Sequence, residues 1–423
     1  MINSNSPLLS QALHNLRLWK AGSKTPLRFL RSVARRIYYG LSVTPLVALV
    51  LGAVVLLKPL IKIRIGKLHC DRIGHLGPNT ELYLRRRSRD AKSKREYHVF
   101  LACDPANRQL FKMIRRRMRV IESRVLVRMY DRTFQLIKDC VDAWIELPMS
   151  SNEYEEFNTI QPQLYFTDEE ESWGEKLLAD IGIDPGAPFV CFNARSRAYL
   201  DTIHNWRSRE EWAYHDYRDC SIYNYLSAAE HLASLGMYAI RMGFIVEQEL
   251  MHDSRRIVDY ASRYRSDFGD IYLCAKCKFY LGSDGGLITV PWIFNVPVAF
   301  ANSIPLRAPA WRRGDLFIPK KLWAREKKRF LTFREILKYG VDGWSHTEVF
   351  ERAGIELVEN TGEEILALAK EMNDRLDGSW ITTEEDEELQ RRYRGFIPPG
   401  HRAYGFPSRI GAEFLRQNRA LLE

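Results

Sequence analysis

Apolar positions along this 423-residue chain change their period from one region to the next. The first feature is an unbroken run. Residues 37–57 (IYYGLSVTPLVALVLGAVVLL) carry no charge over 21 positions, which is long enough for a helix to span a bilayer. Beyond it, short apolar runs alternate with segments of helical period. IKIRIGKL (61–68) reads as a strand with outward basic residues, HCDRIGHLGPN as a loop after it, and TELYLRRRSR as a helix with Thr80 as its N-cap. YHVFLA (97–102) is a second strand, QLFKMIRRRMRVI a basic amphipathic helix, and VDAWIEL (141–147) a third strand. A polar, acidic stretch at about 148–170 marks an inter-domain region.

The second half is more regular. FVCFNAR (189–195) has the short, buried type of strand pattern. IYNYLSAAEHLASLG reads as a helix ended by Gly236. MYAIRMG and IVDYA are strands, DIYLCAKC a helix, KFYLG a strand, LITVPWIFN a helix and VPVAFAN a strand. Thr361 and Glu364 stand in capping-box spacing before a helix, and RIGAEFLRQNRALL reads as a final amphipathic helix. Strand and helix alternating over short connections predict an α/β fold with mainly parallel, doubly wound sheets. The domain division that follows is a basic and apolar segment (1–60), a first Rossmann-like domain (61–165), a second (166–380) and a helical tail (381–423).

Charge sharpens this division. The net charge of +10 conceals 27 Lys/Arg against 6 Asp/Glu in residues 1–130, whereas the remainder is acidic by 11. A basic first third implies a polyanion beside it: anionic lipid, nucleic acid or a charged glycan. Basic residues crowd both flanks of the apolar run, so its charge pattern sets no orientation. A spanning helix, a helix lying in the interface or dipping in and returning at Pro45 or Pro59, and a buried core helix all fit it. No cleavage-site pattern follows, which argues against a cleaved signal peptide. Seven scattered cysteines suit a reducing compartment. Cys274 and Cys277 form one CxxC with no second half to complete a zinc site, so two small core residues on a helix are the simpler reading, and no metal is expected.

The chemistry is expected at strand ends, because ligands of doubly wound sheets bind beyond the carboxyl edge. Those ends carry Asn193 and Arg195, Arg241 and Gly243, Ser283 and Asp284, and Asn302. Between the last two runs lies Gly282-Ser283-Asp284-Gly285-Gly286. Glycines there allow close backbone approach, and a following helix N-terminus favours an anion. Neither a Walker loop nor a dinucleotide fingerprint is present, and a tight turn explains the loop equally well. Arg195 and Arg241 together could grip a diphosphate bidentately, or pair instead with Asp201, Asp219 or Asp267. The loop 196–220 is rich in aromatics (Trp206, Trp212, Tyr214, Tyr217) that suit stacking and sugar binding, or else decorate a solvated insertion. Asp71 and His75, after the first strand, are candidates for a general base acting on an acceptor hydroxyl, unless they only cap a turn.

Several of these stretches match one family. DRIGHLGPNTELYLRRR resembles the RIGH…NTELYL motif of bacterial glycosyltransferases found with surface-polysaccharide genes. CFNARSRAYL, the Tyr217-Arg218 pair, AIRMG, SDFGDIYLCAKCKFYLG, LTFREIL, GIELVENTGEEILALAKEM and the terminal RIGAEFL match it too. The resemblance covers roughly residues 30–423. It implies a GT-B-like architecture of two Rossmann-like domains, here with an N-terminal apolar membrane-associating helix. The donor nucleotide-sugar would lie on the second domain and the acceptor near the first. It adds Arg218 to the donor set of Asn193, Arg195, Arg241, Gly243, Gly282, Ser283, Asp284, Gly285, Gly286 and Asn302. Asn193 stands where the family has a histidine, and the loop between 199 and 217 is longer than the family's.

The expected function is transfer of a sugar from a nucleotide-sugar to a lipid-linked or glycan acceptor. It would take place at the cytoplasmic face of the inner membrane, against anionic inner-leaflet lipids, without a cofactor or metal. Two rivals remain: a nucleotide-sugar epimerase or hydrolase, and a non-catalytic membrane- or nucleic-acid-binding scaffold. Against nucleic acid, the Arg-rich helices lack aromatic interleaving and any recognisable motif.

Overall fold

The computed structural model describes residue 52 and residues 61–89, 96–137, 143–149, 154–203 and 212–423. The apolar run at 37–57, apart from Gly52, and Trp206 lie outside the described residues. Among the described residues no helix is long and apolar enough to cross a membrane. Contacts divide the chain into two units. The first takes Met1–Lys67, Ser93–Leu101 and Ile121–Ile145, and the second Leu68–Lys92, Ala102–Val120 and Glu146–Glu423.

The first unit is built on β1 (Lys62–Lys67), β2 (Glu96–Ala102), β3 (Arg119–Glu122) and β4 (Trp144–Ile145), in the order β3-β2-β1-β4. β1 runs parallel to β2 and to β4, with Ile65 opposite Trp144 and Gly66 opposite Phe100. A side chain at Gly66 would come within 2.7 Å of Ile145 O and of Phe100, so this strand position needs glycine for the packing around it. β3 was not expected. The basic helix stops at Arg117, Met118 is extended, and RVIE forms a strand instead of a last helical turn.

The second unit holds β5 (Phe189–Asn193), β6 (Tyr238–Arg241), β7 (Ile257–Val258), β8 (Tyr280–Gly282), β9 (Val298–Ser303) and β10 (Leu316–Pro319). Beside them, β11 (Lys321–Ala324), β12 (Arg329–Phe330) and β13 (Ile355–Val358) make a small antiparallel sheet, and β14 (Arg409–Ile410) closes the large one. The large sheet has the order β14-β10-β9-β8-β5-β6-β7 and its pairs are parallel. The chain winds from β5 through β6 to β7 on one side, then returns to β8 on the other side of β5 and proceeds outward. This is the doubly wound order, and its reversal lies between β5 and β8. β5, β8 and β9 are buried throughout. Burying a side chain such as Phe192 contributes roughly 2–3 kcal/mol. The tail differs from expectation: Arg409–Ile410 adds an edge strand before the helix Ala412–Gln417, because Ile410 continues the core beyond Phe317.

The helices Ile73–Arg89 and Arg108–Arg117, expected in the first domain, group with the second unit. The first begins at Ile73, well before Thr80, which is buried inside it. The glycines that read as a loop serve packing. A Cβ at Gly77 would sit 2.5 Å from Ile293, so glycine lets this helix lie against the helix Thr289–Ile293. Arg85 then bridges the two. It is fully buried, pairs with Glu81 at 2.8 Å, donates to Ile293 O at 2.8 Å and to Ile160 O at 2.9 Å, and lies over the Phe157 ring. The NTELYLRRR motif is therefore a structural seam.

Candidate anion site at the strand-order reversal

β5 ends in Asn193 and β8 in Gly282, directly opposite each other. The Asn193 side chain lies over Gly282, where a Cβ would come within 2.6 Å of its Oδ1. That oxygen is buried and has no hydrogen-bond partner. Just beyond, the backbone N–H of Arg195 donates to the buried Ser283 Oγ at 2.8 Å. Ser283 thus ties the two strand ends together.

The charged groups come from the loop after β5. The Arg195 guanidinium pairs with Asp219 and donates to His215 O at 3.3 Å, so one of its alternative partners is the real one. Asp219 is itself held through its carbonyl by Lys320 Nζ at 2.6 Å. Arg218 lies near Asp284 of the glycine loop at 3.6 Å, longer than a good charge-assisted bond. Burial, and then the neighbouring Arg218 charge, lower Arg195 to about 10. The two guanidinium groups thus lie close enough for one to feel the other's charge, which makes this place a candidate for an anion.

His215 completes the cluster and was not singled out from sequence. Its ring stacks on Tyr214, with centroids 3.8 Å apart, and its Nδ1 lies 2.7 Å from Arg218 Nη2. Arginine can only donate, so Nδ1 accepts and Nε2 carries the proton. Burial first, then the charges of Arg218, Arg195 and Arg72, push the imidazole down to about 3, so it is neutral at physiological pH. Its Nε2 is buried with no partner, and so is Arg218 Nε. His215 and Arg218 thus each keep an unsatisfied donor and Asn193 an unsatisfied acceptor, and buried polar groups normally find partners. The only sequence signal for His215 was its place in an aromatic loop.

The described aromatics of this loop pack within the protein. Trp212 and Tyr217 are buried. Tyr217 stacks with Phe350, and Tyr214 packs between His215 and His346. Arg72, the residue before the helix Ile73–Arg89, lies over the Trp212 ring at 5.8 Å. The segment is a support that aims His215 and Arg218.

Three expected members leave the cluster. Arg241 is 4% exposed and binds Gln248 O at 2.8 Å and Asp259 at 3.1 Å, which anchors the β6–β7 end. Asn302 is fully buried. It exchanges two hydrogen bonds with Asn360 and donates to Tyr225 OH. A Cβ at Gly243 would meet Val246 at 2.8 Å, so that glycine too serves packing.

The glycine loop also has a different reason. The helix after it spans only Thr289–Ile293 and starts three residues beyond Gly286, so it offers little dipole. Gly286 instead faces Gly74: a Cβ on Gly74 would lie 3.0 Å from Gly286 Cα, and one on Gly286 only 2.9 Å from Ile73. Two backbones touch there, and neither position has room for a side chain. A Cβ at Gly285 would meet only Ser283 O, at an ordinary 3.9 Å. The contact brings His75, one residue after Gly74, beside the loop. Burial lowers His75 against the opposing pull of Asp71, leaving a neutral imidazole able to accept a proton. Cys274 and Cys277 are buried near Cys191, with all their surroundings apolar enough to raise the Cys191 and Cys274 thiols, as fits core residues.

No family model and no curated protein matches the chain. Among solved structures it is similar to the ADP-heptose LPS heptosyltransferase II of E. coli, at 14% identity and a TM-score of 0.37 over 57% of this chain and 86% of that one. It is similar at 10% identity and the same TM-score to a family 9 glycosyl transferase of Veillonella parvula, over 57% and 80%. A third likeness, to the dodecameric iron-containing heptosyltransferase TibC, has 13% identity and a TM-score of 0.28 over 60% and 63%. Likenesses this distant leave the functional reading to the site's own residues.

Proposed function

We propose that the chain is a glycosyltransferase. It would move a sugar from a nucleotide-sugar to a lipid-linked or glycan acceptor in bacterial surface-polysaccharide synthesis. The observation that carries the reading is the Arg195–Arg218 pair at the reversal between β5 and β8, with the unsatisfied donors of His215 and Arg218 beside it. A diphosphate supplies the two negative charges and the acceptor oxygens that this set lacks. The Asn193 Oδ1 accepts from a hydroxyl of the ribose or sugar. In the transfer, the bond from the anomeric carbon to the diphosphate oxygen breaks and its electron pair leaves with the diphosphate. Arg195 and Arg218 neutralise that developing charge, so the scheme requires no metal. The acceptor hydroxyl gives its proton to His75, with Asp71 stabilising the imidazolium, and its oxygen bonds to the anomeric carbon.

Nucleotide-sugars are cytosolic, which puts the site on the cytoplasmic side of the inner membrane. The basic first third of the chain suits anionic inner-leaflet lipids. Calorimetry with a panel of nucleoside diphosphates tests the core of the proposal. One of them should bind, and Arg218→Ala should weaken it about tenfold or more while leaving Tm nearly unchanged. Unaltered affinity in Arg218→Ala and Arg195→Ala would sink it.

A further inference from the structure

A second cleft lies far along the chain from the residues described above. Its volume is about 760 Å³, and it is lined from the helices Phe333–Lys338 and Glu384–Gly395 and from the chain after them. This is the size of a pocket for a small organic ligand. Arg334, Leu337 and Lys338 share one helix face by their spacing of three and four, and Arg392 and Gly395 share another. The lining has two chemistries. Leu337, Phe396, Pro398 and Leu422 make it apolar, while Arg334, Lys338 and Arg392 make it cationic, and no carboxylate lines it.

Other basic side chains of these segments have carboxylate partners: Lys327 and Arg329 share Glu335, and Arg391 pairs with Glu388. His401, also in the lining, bonds to Asp342 at 2.9 Å. Arg334 and Lys338 have no carboxylate partner among the described residues. Arg334 lies over the Phe396 ring at 5.0 Å, and Arg392 is held by the Leu422 carbonyl at 2.9 Å. Two of the three cations are therefore braced against the wall without being neutralised. A surface selected only for solubility would pair or scatter them. Here three cations face an apolar recess.

We propose that this cleft binds a phosphate ester whose other half is apolar, with the phosphate on Arg334, Lys338 and Arg392 and the apolar part against Leu337, Phe396 and Pro398. Such a ligand could be a membrane lipid or a soluble phosphorylated carrier. The site is independent of the nucleotide reading.

Octyl phosphate, kept below its micellar concentration, is the probe for calorimetry on the full chain. It should bind about tenfold more tightly than either inorganic phosphate or octyl glucoside, because each of those lacks one half of the recognition. A Cβ at Gly395 meets nothing within 4 Å, so Gly395→Glu places a carboxylate at the cleft without a clash. It should cut the affinity about tenfold, as should Arg334→Glu at the exposed rim. Arg218→Ala should leave octyl phosphate binding unchanged even where it abolishes nucleotide binding. Equal binding of octyl phosphate to wild type and both charge variants would overturn the proposal, as would octyl glucoside binding as tightly as octyl phosphate. Vesicles containing phosphatidic acid separate the two sources. Weaker vesicle binding by Gly395→Glu supports a lipid ligand, and loss of octyl phosphate binding alone supports a soluble one.

Discussion

Asp284 is the carboxylate that the glycine loop sets against the candidate site's arginines. A carboxylate beside a diphosphate repels it, yet Asp284 sits at 3.6 Å from Arg218. It balances a guanidinium whose charge otherwise adds to that of Arg195. On the proposed function a ligand phosphate would take over that balancing, so Asp284 would compete with it. Asp284→Asn should therefore tighten a free nucleoside diphosphate several-fold in calorimetry. If Asp284 also accepts a hydroxyl of the transferred sugar, the gain should be smaller for the intact nucleotide-sugar. Weaker diphosphate binding in Asp284→Asn would show that the carboxylate orients Arg218 productively. Of the expected donor residues, Asn193, Arg195, Arg218 and Asp284 come together. Arg241 and Asn302 do not, because each finds buried partners, Asp259 and Asn360, that no local pattern announces.

At the scale of elements, the contact between Gly74 and Gly286 is the joint that sets the site. The helix Ile73–Arg89 is driven against the β8 loop by its buried face, and the two glycines allow the backbones to meet. A methyl group at position 74 would press on the Gly286 backbone, which cannot rotate away as a side chain could. Gly74→Ala should lower stability by about 1–3 kcal/mol, read as a drop in Tm, and should weaken nucleotide binding by displacing the loop. An unchanged Tm would mean the joint has slack. The same joint explains why RIGHLGPN misled as a loop. Gly and Pro mark turns when viewed along the chain, but here Gly74 and Gly77 are selected by neighbours more than two hundred residues away in sequence. Capping boxes, by contrast, depend only on four consecutive residues at the first turn of their own helix. The Thr361–Glu364 box forms as its spacing dictates.

Across the second unit, Glu170 links the helix Arg108–Arg117 to the helix Asp168–Asp180. It accepts from Gln109 at 2.9 Å, from Arg116 at 2.7 and 2.9 Å, and from the Thr167 N–H at 3.1 Å. Burial pushes its carboxyl up, but the bonds from Arg116, Gln109 and Thr167 outweigh this and bring it down to about 2, against 4.5 for a free glutamate. A depressed carboxyl stabilises the fold above its unfolded value and loses that contribution as pH falls through the folded one. Unfolding experiments should therefore show about 2–3 kcal/mol of stability disappearing between about pH 4.5 and 2. Glu170→Gln should flatten that acid limb and lower stability near neutrality; an acid limb identical in the two proteins would assign the loss to other carboxylates.

Local and short-range information determined much of this protein. The alternation of strand and helix, the strands around Phe189–Asn193 and Val298–Ser303, the helix stop at Gly236, the Thr361–Glu364 capping box and the charge asymmetry follow from the sequence alone. Each depends on side-chain period or on bonds within a few residues. Tertiary structure alone decided that Arg241 is spent on Asp259 while Arg195 and Arg218 lie near each other, and that His215 is neutral. It also decided that the glycine loop meets a helix and that two helices of the first half join the second unit. Those outcomes rest on partners distant in the chain, chosen by packing and by pairing of buried charges, and neither leaves a mark on local spacing.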